Sequence, residues 1–538
     1  GICADHYFVH PAVQENHRRR NSRRSEGLSM EKLSLAPIFS DGMVLQRDHV
    51  LPIWGCAREG EAVTVTLGQT QASCLPEHGV WRCELPPQPA AEQCTLRVCQ
   101  GEAVIELRNV MIGEVWIAGG QSNMEFFMRY ERHWAQAKQL PHDTGIRMYT
   151  CQRKAFAEQE PFQSGCGYWF GEADAALETF SAIGYWFARE LRALLGVPVG
   201  ILSCNWGGTS ASAWVPEEAL RASPLSVYLE DYETAIQGQT AEECLRESRR
   251  GWAFQADAAH QAEWSTVMYG LDRAQQLRRM EACAGNPVIP MGPYHKNRPG
   301  ALFEQMLLPV AGYAARGALW YQGENDEHHA SLYAQLLRAL IRSWRNAWHE
   351  ELPFLVVPLA PFDRWLGLNG DRFPEVRRQQ EAAVQETPGC WSTSIMDLGM
   401  PYDIHPKEKK EIARRLALLA SEKVYGIPTM CAAPELCAAL RTAQNIVRLQ
   451  FRNCTGGLSA VGNLTDLFQI RQQGHPRYMQ SYTVRGDTVE LTLENANDTA
   501  LEISFAEAPY VCVRLYNETG LPAKPFFTAV KQYHERMT

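Results

Sequence analysis

The chain has 538 residues, which is too long for one ordinary hydrophobic core and predicts two to four structural units. Hydrophobic residues make up 45% and charged residues 21%, as in soluble globular proteins. The net charge of −9 argues against a nucleic acid as the main partner. No apolar run reaches the ~20 residues that a membrane-spanning helix needs.

The N-terminal segment and the cysteines bear on where the protein works. A polar stretch with a basic cluster at Arg18–Arg24 precedes any β pattern, so we expect residues 1–32 to be an extension that is disordered or left over from expression. Neither Gly1 nor Met30 is followed by a secretory signal, although an already removed leader would reverse this prediction. The 16 cysteines are scattered without a Cys-x-x-Cys pair, which argues against zinc and is typical of reduced thiols in a cytoplasmic protein.

Alternating polar and apolar residues mark both ends of the remaining chain. Over residues 33–110 the alternation is clear at Ala62–Leu67, which predicts a small N-terminal antiparallel β domain. It returns at Thr488–Leu493, which predicts a C-terminal β domain over residues 429–538. We expect both to be accessory β-sandwich regions, and the two could pack together as a single sandwich.

The middle of the chain, residues 111–428, alternates apolar strands with amphipathic helices. This order predicts an α/β domain with a parallel sheet flanked by helices, in which ligands bind at the carboxyl ends of the strands. The expected strands are Val115–Ala118, Val199–Ser203, Ala318–Tyr321 and Phe354–Val357, and the expected helices are Ser181–Leu195, Leu332–Trp348, Glu375–Glu386 and Lys407–Tyr425. A polar, helix-rich insertion at about 217–299 would form a lid or side wall, or else a surface decoration.

The strongest candidate for catalysis is Ser122, in the segment Gly119-Gly-Gln-Ser122. The expected strand Val115–Ala118 runs into two glycines, then the serine, then a predicted helix start. A sharp strand-to-helix turn exposes the serine Oγ, and free N–H groups at the helix start can stabilise an oxyanion. We therefore interpret Ser122 as a nucleophile rather than as an ordinary helix N-cap.

A histidine that follows an aspartate is the predicted base. His405 lies in Asp403-Ile-His-Pro406, ahead of an amphipathic helix, where a loop side chain can reach across the end of the sheet. It would take the proton of Ser122 and return it to the leaving alcohol, while Asp403 would orient the ring. Asp397 is the alternative acidic partner.

Two further segments offer oxyanion donors. Gly208, within Gly207-Gly-Thr209, allows close backbone approach to a substrate oxygen. Gln322 and Asn325 follow an expected strand, and either side-chain amide can donate to an oxyanion without ionising. Acidic and histidine residues crowd the same loop, but they lack a recognisable metal-ligand spacing, so no metal site is expected. These residues are Glu324, Asp326, His328 and His329.

Together these motifs resemble those of the sialate O-acetylesterase family, a branch of the SGNH hydrolases, over most of the chain from about residue 33. The segments that carry the resemblance are Phe39-Ser-Asp-Gly-Met-Val-Leu-Gln-Arg47, Gly120-Gln-Ser-Asn-Met124, Gly207-Gly-Thr…Trp214, Trp320-Tyr-Gln-Gly-Glu324 and Asp403-Ile-His-Pro406. By position, the resemblance implies Ser122 as nucleophile, His405 as base with Asp403 as its partner, and Gly208 with Asn325 or Gln322 as oxyanion donors. Many SGNH enzymes place the acid three residues before the histidine, whereas the gap is two here.

The resemblance implies a hydrolase that removes O-acetyl groups from sialic acids through an acetyl-serine intermediate, without a metal or an organic cofactor. The expected partner is thus a small-molecule or oligosaccharide acetyl ester, with no nucleic-acid or membrane partner. A sialic acid carboxylate would need a cationic contact, for which Arg345 and Arg377 are candidates. The alternatives are an acetylesterase for other carbohydrates, such as xylo-oligosaccharides, and a non-catalytic carbohydrate-binding protein.

Overall fold

The computed structural model describes residues 32–160, 165–282 and 286–531. The extension predicted for residues 1–32 therefore lies outside the described residues, except for Lys32. Within the described ranges, every helix is too short or too polar to cross a membrane.

The N-terminal strands run directly into the central sheet. They are β1 (Ser34–Leu35), β2 (Val44–Gln46), β3 (Leu51–Cys56), β4 (Val63–Leu67), β5 (Thr70–Cys74), β6 (Val80–Leu85), β7 (Ala91–Gln100) and β8 (Ala103–Gly120). β8 is 18 residues long; its first part pairs antiparallel with β7 and alternates in exposure, whereas every residue from Val110 onward is buried. The predicted boundary near residue 110 therefore falls inside one strand, and the N-terminal strands share one hydrophobic core with the middle of the chain.

Parallel strands form the centre of an eleven-stranded mixed sheet, as the apolar runs predict. The strands that follow β8 are β9 (Ile146–Thr150), β10 (Trp169–Phe170), β11 (Val199–Asn205), β12 (Gly317–Tyr321), β13 (Phe354–Val356), the hairpin β14 (Arg364–Trp365) and β15 (Leu368–Asn369), and β16 (Cys390–Ser392). The order is β10-β9-β11-β8-β12-β13-β16, and only β10 is antiparallel to its neighbour in this path through the described chain. The carboxyl ends of β11, β8 and β12 therefore lie side by side.

Helices pack against this sheet and continue into the insertion. They are α1 (Ser122–Glu125), α2 (Trp134–Ala137), α3 (Ala182–Leu195), α4 (Glu217–Leu220), α5 (Val227–Ile236), α6 (Ala241–Ala256), α7 (Ala258–Ser265), α8 (Arg273–Ala282), α9 (Tyr333–Trp348), α10 (Phe373–Glu386) and α11 (Lys409–Lys423). The four predicted helices agree with α3, α9, α10 and α11 to within two residues at each end. In α3 the reason is local, because Ser181 caps the first turn and Gly196, at φ +67, ends the last.

The C-terminal region is a unit with its own hydrophobic core, to which the preceding chain contributes Met396. Its strands are β17 (Glu435–Ala443), β18 (Ile446–Arg452), β19 (Ser459–Ala460), β20 (Phe468–Gln472), β21 (His475–Arg477), β22 (Met479–Arg485), β23 (Thr488–Leu493), β24 (Leu501–Phe505), β25 (Leu515–Tyr516) and β26 (Phe526–Val530). They form two four-stranded antiparallel sheets and a short two-stranded one. No described N-terminal residue belongs to this core, so the interpretation of the two β regions as a single sandwich is wrong.

Candidate active site

Ser122 lies just past the carboxyl end of the central strand β8, as the sequence predicts. Gly120 has a φ of +140, and a Cβ there would lie 2.1 Å from the carbonyl oxygen of Tyr321, so only glycine fits this close approach of β8 and β12. Ser122 begins α1, which is a single helical turn, and the residue is 8% exposed. The serine is thus fixed on a tight turn at the edge of the sheet where α/β proteins bind ligands.

The turn at Gly207 and Gly208 follows β11, the strand beside β8, and reaches the serine. A Cβ on Gly207 would lie 3.4 Å from Ser122 Cβ, so this backbone runs directly beside the candidate nucleophile. Gly208 is exposed and has a φ of +66, a left-handed conformation that favours glycine. Its carbonyl accepts a hydrogen bond from Asn297 Nδ2 at 2.9 Å, which fixes the turn.

The two candidate amides that follow β12 have different surroundings. Gln322 is fully buried, and its Nε2 donates to the carbonyl of Thr209 at 3.0 Å and to Asp326 Oδ2 at 2.5 Å. Because both amide hydrogens are engaged, Gln322 braces the neighbouring loop and is not available to an oxyanion. Asn325 is half-buried, and its backbone N–H donates to the side chain of Gln121, next to the serine, at 3.3 Å. Asn325 is therefore the better placed of the two predicted donors.

His405 lies in a buried loop between Asp403 and α11. It is 1% exposed, and its Nδ1 lies 3.5 Å from Asp403 Oδ1, which also accepts the backbone N–H of His405 at 2.8 Å. Since 3.5 Å is long for a hydrogen bond, the carboxylate acts on the ring mainly as a nearby charge in this structure. The described residues show no hydrogen bond between this ring and Ser122, a contact that in many enzymes tightens only when substrate binds.

Burial and neighbouring charges set the protonation of this pair. Burial lowers the pKa of His405 below its ordinary value of 6.5, although Asp403 opposes the shift; Lys407 and Lys409 lower it further. Burial also disfavours the Asp403 carboxylate, but His405 and Lys407 together outweigh this and lower the pKa of Asp403. At neutral pH the imidazole is therefore neutral and the carboxylate is ionised, which is the state that a general base requires.

Asn123 connects the serine to the histidine loop, a role that the sequence analysis missed. Its Nδ2 donates to Glu324 Oε1 at 2.5 Å and to the carbonyl of Ile404, the residue before the histidine, at 3.0 Å. Its Oδ1 accepts a hydrogen bond from Lys409 Nζ at 2.6 Å. One buried amide thus links the ends of β8 and β12 to the loop before α11. The sequence offered one clue, which is that Asn123 directly follows the serine.

The insertion at 217–299 forms a side wall of the site rather than a surface decoration. The Tyr269 ring lies edge-on to His405 with centroids 5.0 Å apart, and Trp365 of the β14–β15 hairpin also lies edge-on to the imidazole, at 5.1 Å. Trp365 Nε1 donates to Gln276 Oε1 of α8 at 2.8 Å, which joins the hairpin to the insertion. These two rings limit the movement of the imidazole and shield it from water.

Comparison with known proteins points to one family. Residues 112–243 and 291–417 match the family model described as carbohydrate esterase, sialic acid-specific acetylesterase. Sialate O-acetylesterase from Rattus norvegicus is 26% identical over 73% of this chain and 73% of its own length, and the Homo sapiens enzyme is 23% identical over 94% of both. The crystal structure of a carbohydrate acetylesterase from Xanthomonas citri superposes with a TM-score of 0.70 at 26% identity, covering 92% of this chain and 99% of that one. The chain is thus similar to this carbohydrate esterase family, and it is a carboxylic ester hydrolase.

The two arginines that the sequence analysis selected for a substrate carboxylate bind backbone carbonyls in the esterase. Arg345 Nε donates to the carbonyl of Leu352 at 3.0 Å, just before β13 begins, so it lies at the opposite edge of the sheet from the serine. Arg377 Nη2 donates to the carbonyl of Ala508 in the C-terminal unit at 2.7 Å. Each arginine, one from α9 and one from α10, therefore binds a backbone carbonyl of a neighbouring loop.

The charged residues of the loop after β12 have different partners in the esterase. Asp326 is buried and accepts hydrogen bonds from Ser210 Oγ at 2.5 Å and from the backbone N–H of Ala211 at 2.9 Å. His329 Nε2 instead lies 2.6 Å from Asp231 Oδ2, and these two with His328 could offer three ligand atoms to a metal at the surface. The cluster named from the sequence is thus not one group, and the absence of a metal stays a prediction.

The alternative acid, Asp397, is engaged elsewhere, and this gives a paired prediction. Both its oxygens accept hydrogen bonds from Arg415 at 2.7 Å, so Asp403 is the carboxylate beside His405. We expect Asp403→Asn to lower kcat by about 10²- to 10⁴-fold, and to lose the stability that its ion pair with Lys407 at 2.9 Å contributes. Asp397→Asn removes one of the two carboxylates that contact the buried Arg415, while Glu411 Oε1 still accepts from its Nε at 2.8 Å, so it should cost about 1–3 kcal/mol of stability while the folded fraction keeps its kcat. Turnover normalised to folded protein, measured with thermal unfolding, checks both, and a larger kcat loss in Asp397→Asn would contradict the assignment.

Proposed function

We propose that this carboxylic ester hydrolase removes O-acetyl groups from sialic acids through an acetyl-Ser122 intermediate, with an SGNH-type set of catalytic groups. The observation that supports this most directly is the Asn123 bridge, which holds the Ser122 turn against the loop of His405. Similarity to the carbohydrate esterases supports the acetyl-ester chemistry, and the sialic acid comes from what the relatives are named for. A cytoplasmic location is proposed from the cysteine use alone, and cell fractionation would test it.

The residues of the site would carry the reaction in two steps. His405 accepts the proton of Ser122 Oγ as this oxygen attacks the acetyl carbonyl carbon, and the carbonyl oxygen becomes an oxyanion near Gly208 N–H and the Asn325 amide. His405 then protonates the sugar oxygen as the ester bond breaks, which releases the deacetylated sugar. A water molecule deprotonated by His405 attacks the acetyl group, and acetate leaves as Ser122 regains its proton. Asp403 stabilises the imidazolium in both steps.

Acetate release from two substrates, measured in parallel, tests the proposal. Wild type and Ser122→Ala are given 9-O-acetylated sialic acid and an acetylated xylo-oligosaccharide. Serine-dependent release that favours the sialic acid supports the proposal. A preference for the xylo-oligosaccharide keeps the serine mechanism and overturns the substrate, and release from neither, together with sugar binding, favours the non-catalytic alternative.

The loss of activity on the acid side of the pH–rate profile should follow the protonation of His405. Because the base must be neutral and its pKa is lowered, kcat/KM should stay high below pH 6.5 and fall only at more acid pH. Asp403 raises the pKa of His405, so Asp403→Asn should move this fall to still lower pH while reducing the plateau. Burial lowers the pKa of Lys409 to about 7, and Lys409→Met removes this titration together with a charge that lowers the pKa of His405, so the pKa of the histidine should rise in this variant. An acid-side pKa at or above 7 that survives in Lys409→Met would contradict the assignment.

A further inference from the structure

Two cations and one carboxylate meet beside the Gly207–Gly208 turn, and none of them has a role in the mechanism above. Arg153 follows β9, Glu125 is the last residue of α1, and Lys296 lies in the loop after the helices of the insertion. Arg153 is 8% exposed and Glu125 is 7% exposed, so both are built into the wall of the site. Lys296 is half-buried and stays partly open to solvent.

Direct contacts fix this cluster against the turn. Glu125 accepts the backbone N–H of Gly207, and Arg153 Nη2 lies 3.2 Å from Glu125 Oε2. Lys296 Nζ donates to the carbonyl of Gly207 at 2.5 Å, and it lies 3.5 Å from the position that a Cβ on Gly208 would occupy. The three charged groups are therefore anchored to the same short backbone segment that borders the serine.

The cluster carries a net positive charge, because two cations face one carboxylate. Among the described residues, Glu125 is the one carboxylate in contact with it, whereas Arg153 and Lys296 are both cations. Arg153 Nε is buried without a hydrogen-bond partner in the described part of the chain. Both cations lie over the Trp206 ring, 6.0 and 5.5 Å from its centroid, which supplies an apolar floor and no counter-ion. Burial lowers the pKa of Lys296 to about 8, so the amine is still mostly charged at neutral pH.

The cluster is near enough to the serine for one monosaccharide to contact both. The Cβ position on Gly207 lies 3.4 Å from Ser122 Cβ and 3.0 Å from Glu125 Oε2, the oxygen that holds Arg153. Gly208, the next residue of the turn, is exposed, so solvent reaches this part of the turn.

We propose that Arg153 and Lys296 bind the carboxylate of an acidic sugar whose acetyl ester lies at Ser122, so that the enzyme selects carboxylate-bearing substrates. The inference rests on the proposed function, because it assigns a subsite beside the same nucleophile. The planar guanidinium and the ammonium point charge are complementary ways to bind one carboxylate, and the bound anion would neutralise the excess charge.

The test compares a sialic acid with its own neutral form. We would measure kcat/KM for 9-O-acetyl-N-acetylneuraminic acid and for its C1 methyl ester, with wild type, Arg153→Met and Lys296→Met. The wild-type ratio of acid to methyl ester should be about 10 to 100, the value of one or two charge-assisted hydrogen bonds, and it should fall toward one in both variants. Lys154→Met is the matched control, because Lys154 adjoins Arg153 but donates to the carbonyl of Ala157 at 3.3 Å; it should keep the wild-type ratio.

A binding measurement separates failure of this subsite from failure of the proposed function. Calorimetric titration of Ser122→Ala with N-acetylneuraminic acid and with its methyl ester needs no turnover. Equal affinity for the two ligands, or no binding of either, would overturn the subsite even if acetate is released from the acid. Preference for the acid that disappears in Ser122→Ala/Lys296→Met would support the subsite, even if the acetylated substrate is not hydrolysed and the proposed function fails.

Discussion

Ser122→Ala should lower kcat by about 10⁴-fold or more, the largest loss expected from any single substitution in this chain. The variant cannot form the acetyl intermediate, and any remaining rate must come from substrate binding and the oxyanion donors. The fold should be nearly unaffected, because the change removes one oxygen from a turn whose shape is set by Gly120 and by the Asn123 bridge. The measurement is acetate release at saturating substrate, together with a search by mass spectrometry for an acetylated Ser122 in rapidly quenched wild type.

Ser248→Ala is a matched control for this prediction. Ser248 is also a buried serine, in α6, and its Oγ has no hydrogen-bond partner within the described residues. It should keep wild-type turnover and stability. Retention of more than about 1% of activity in Ser122→Ala, once contamination is excluded, would refute the nucleophile assignment.

His405→Ala should have the second largest effect, a loss of about 10³-fold or more in kcat, because it removes the proposed general base. The double variant Ser122→Ala/His405→Ala should be no slower than Ser122→Ala alone, since residues that act as a unit are not additive. A matched control is His475→Ala, which changes an exposed histidine of the C-terminal unit. Independent, multiplying losses in the double variant would mean that the two residues do not act in one step.

The buried position of His405 requires a check on folding in that variant. Its ring packs against both Tyr269 and Trp365, so alanine leaves a cavity and should cost about 2 kcal/mol or more of stability. His405→Gln fills more of this space and is the second variant to measure. Turnover that recovers in His405→Gln in proportion to its stability would assign the loss to packing rather than to proton transfer.

Local patterns predicted much of the fold and part of the site. The strand ahead of Ser122 and the four long helices were predictable because apolar runs, caps and glycines act within a few residues. The pair Asp403 and His405 was predictable for the same reason, since the two lie two residues apart. β9 (Ile146–Thr150) was missed, because a short strand that contains Arg147 becomes recognisable only through its pairing with β11.

The contacts that assemble the site are not local, and this is why the sequence could not predict them. Asn123 and Lys409 are 286 residues apart, so no periodicity relates them. Two amides three residues apart, Gln322 and Asn325, looked equivalent, but Gly323 with a φ of +148 turns the backbone between them. Gln322 then packs inward while Asn325 stays half-buried near the serine.

The continuity of β8 limits how this esterase can be shortened. The strand that ends at the candidate nucleophile begins among the N-terminal strands, where β7 and β2 pair with it. An expression fragment that begins at residue 111 would lose those partners, expose the apolar residues Met111 and Ile112, and leave the start of the strand as an unpaired edge. The smallest unit that can present the serine correctly therefore includes the first β region, and trimming is better attempted in the C-terminal unit, which has a core of its own.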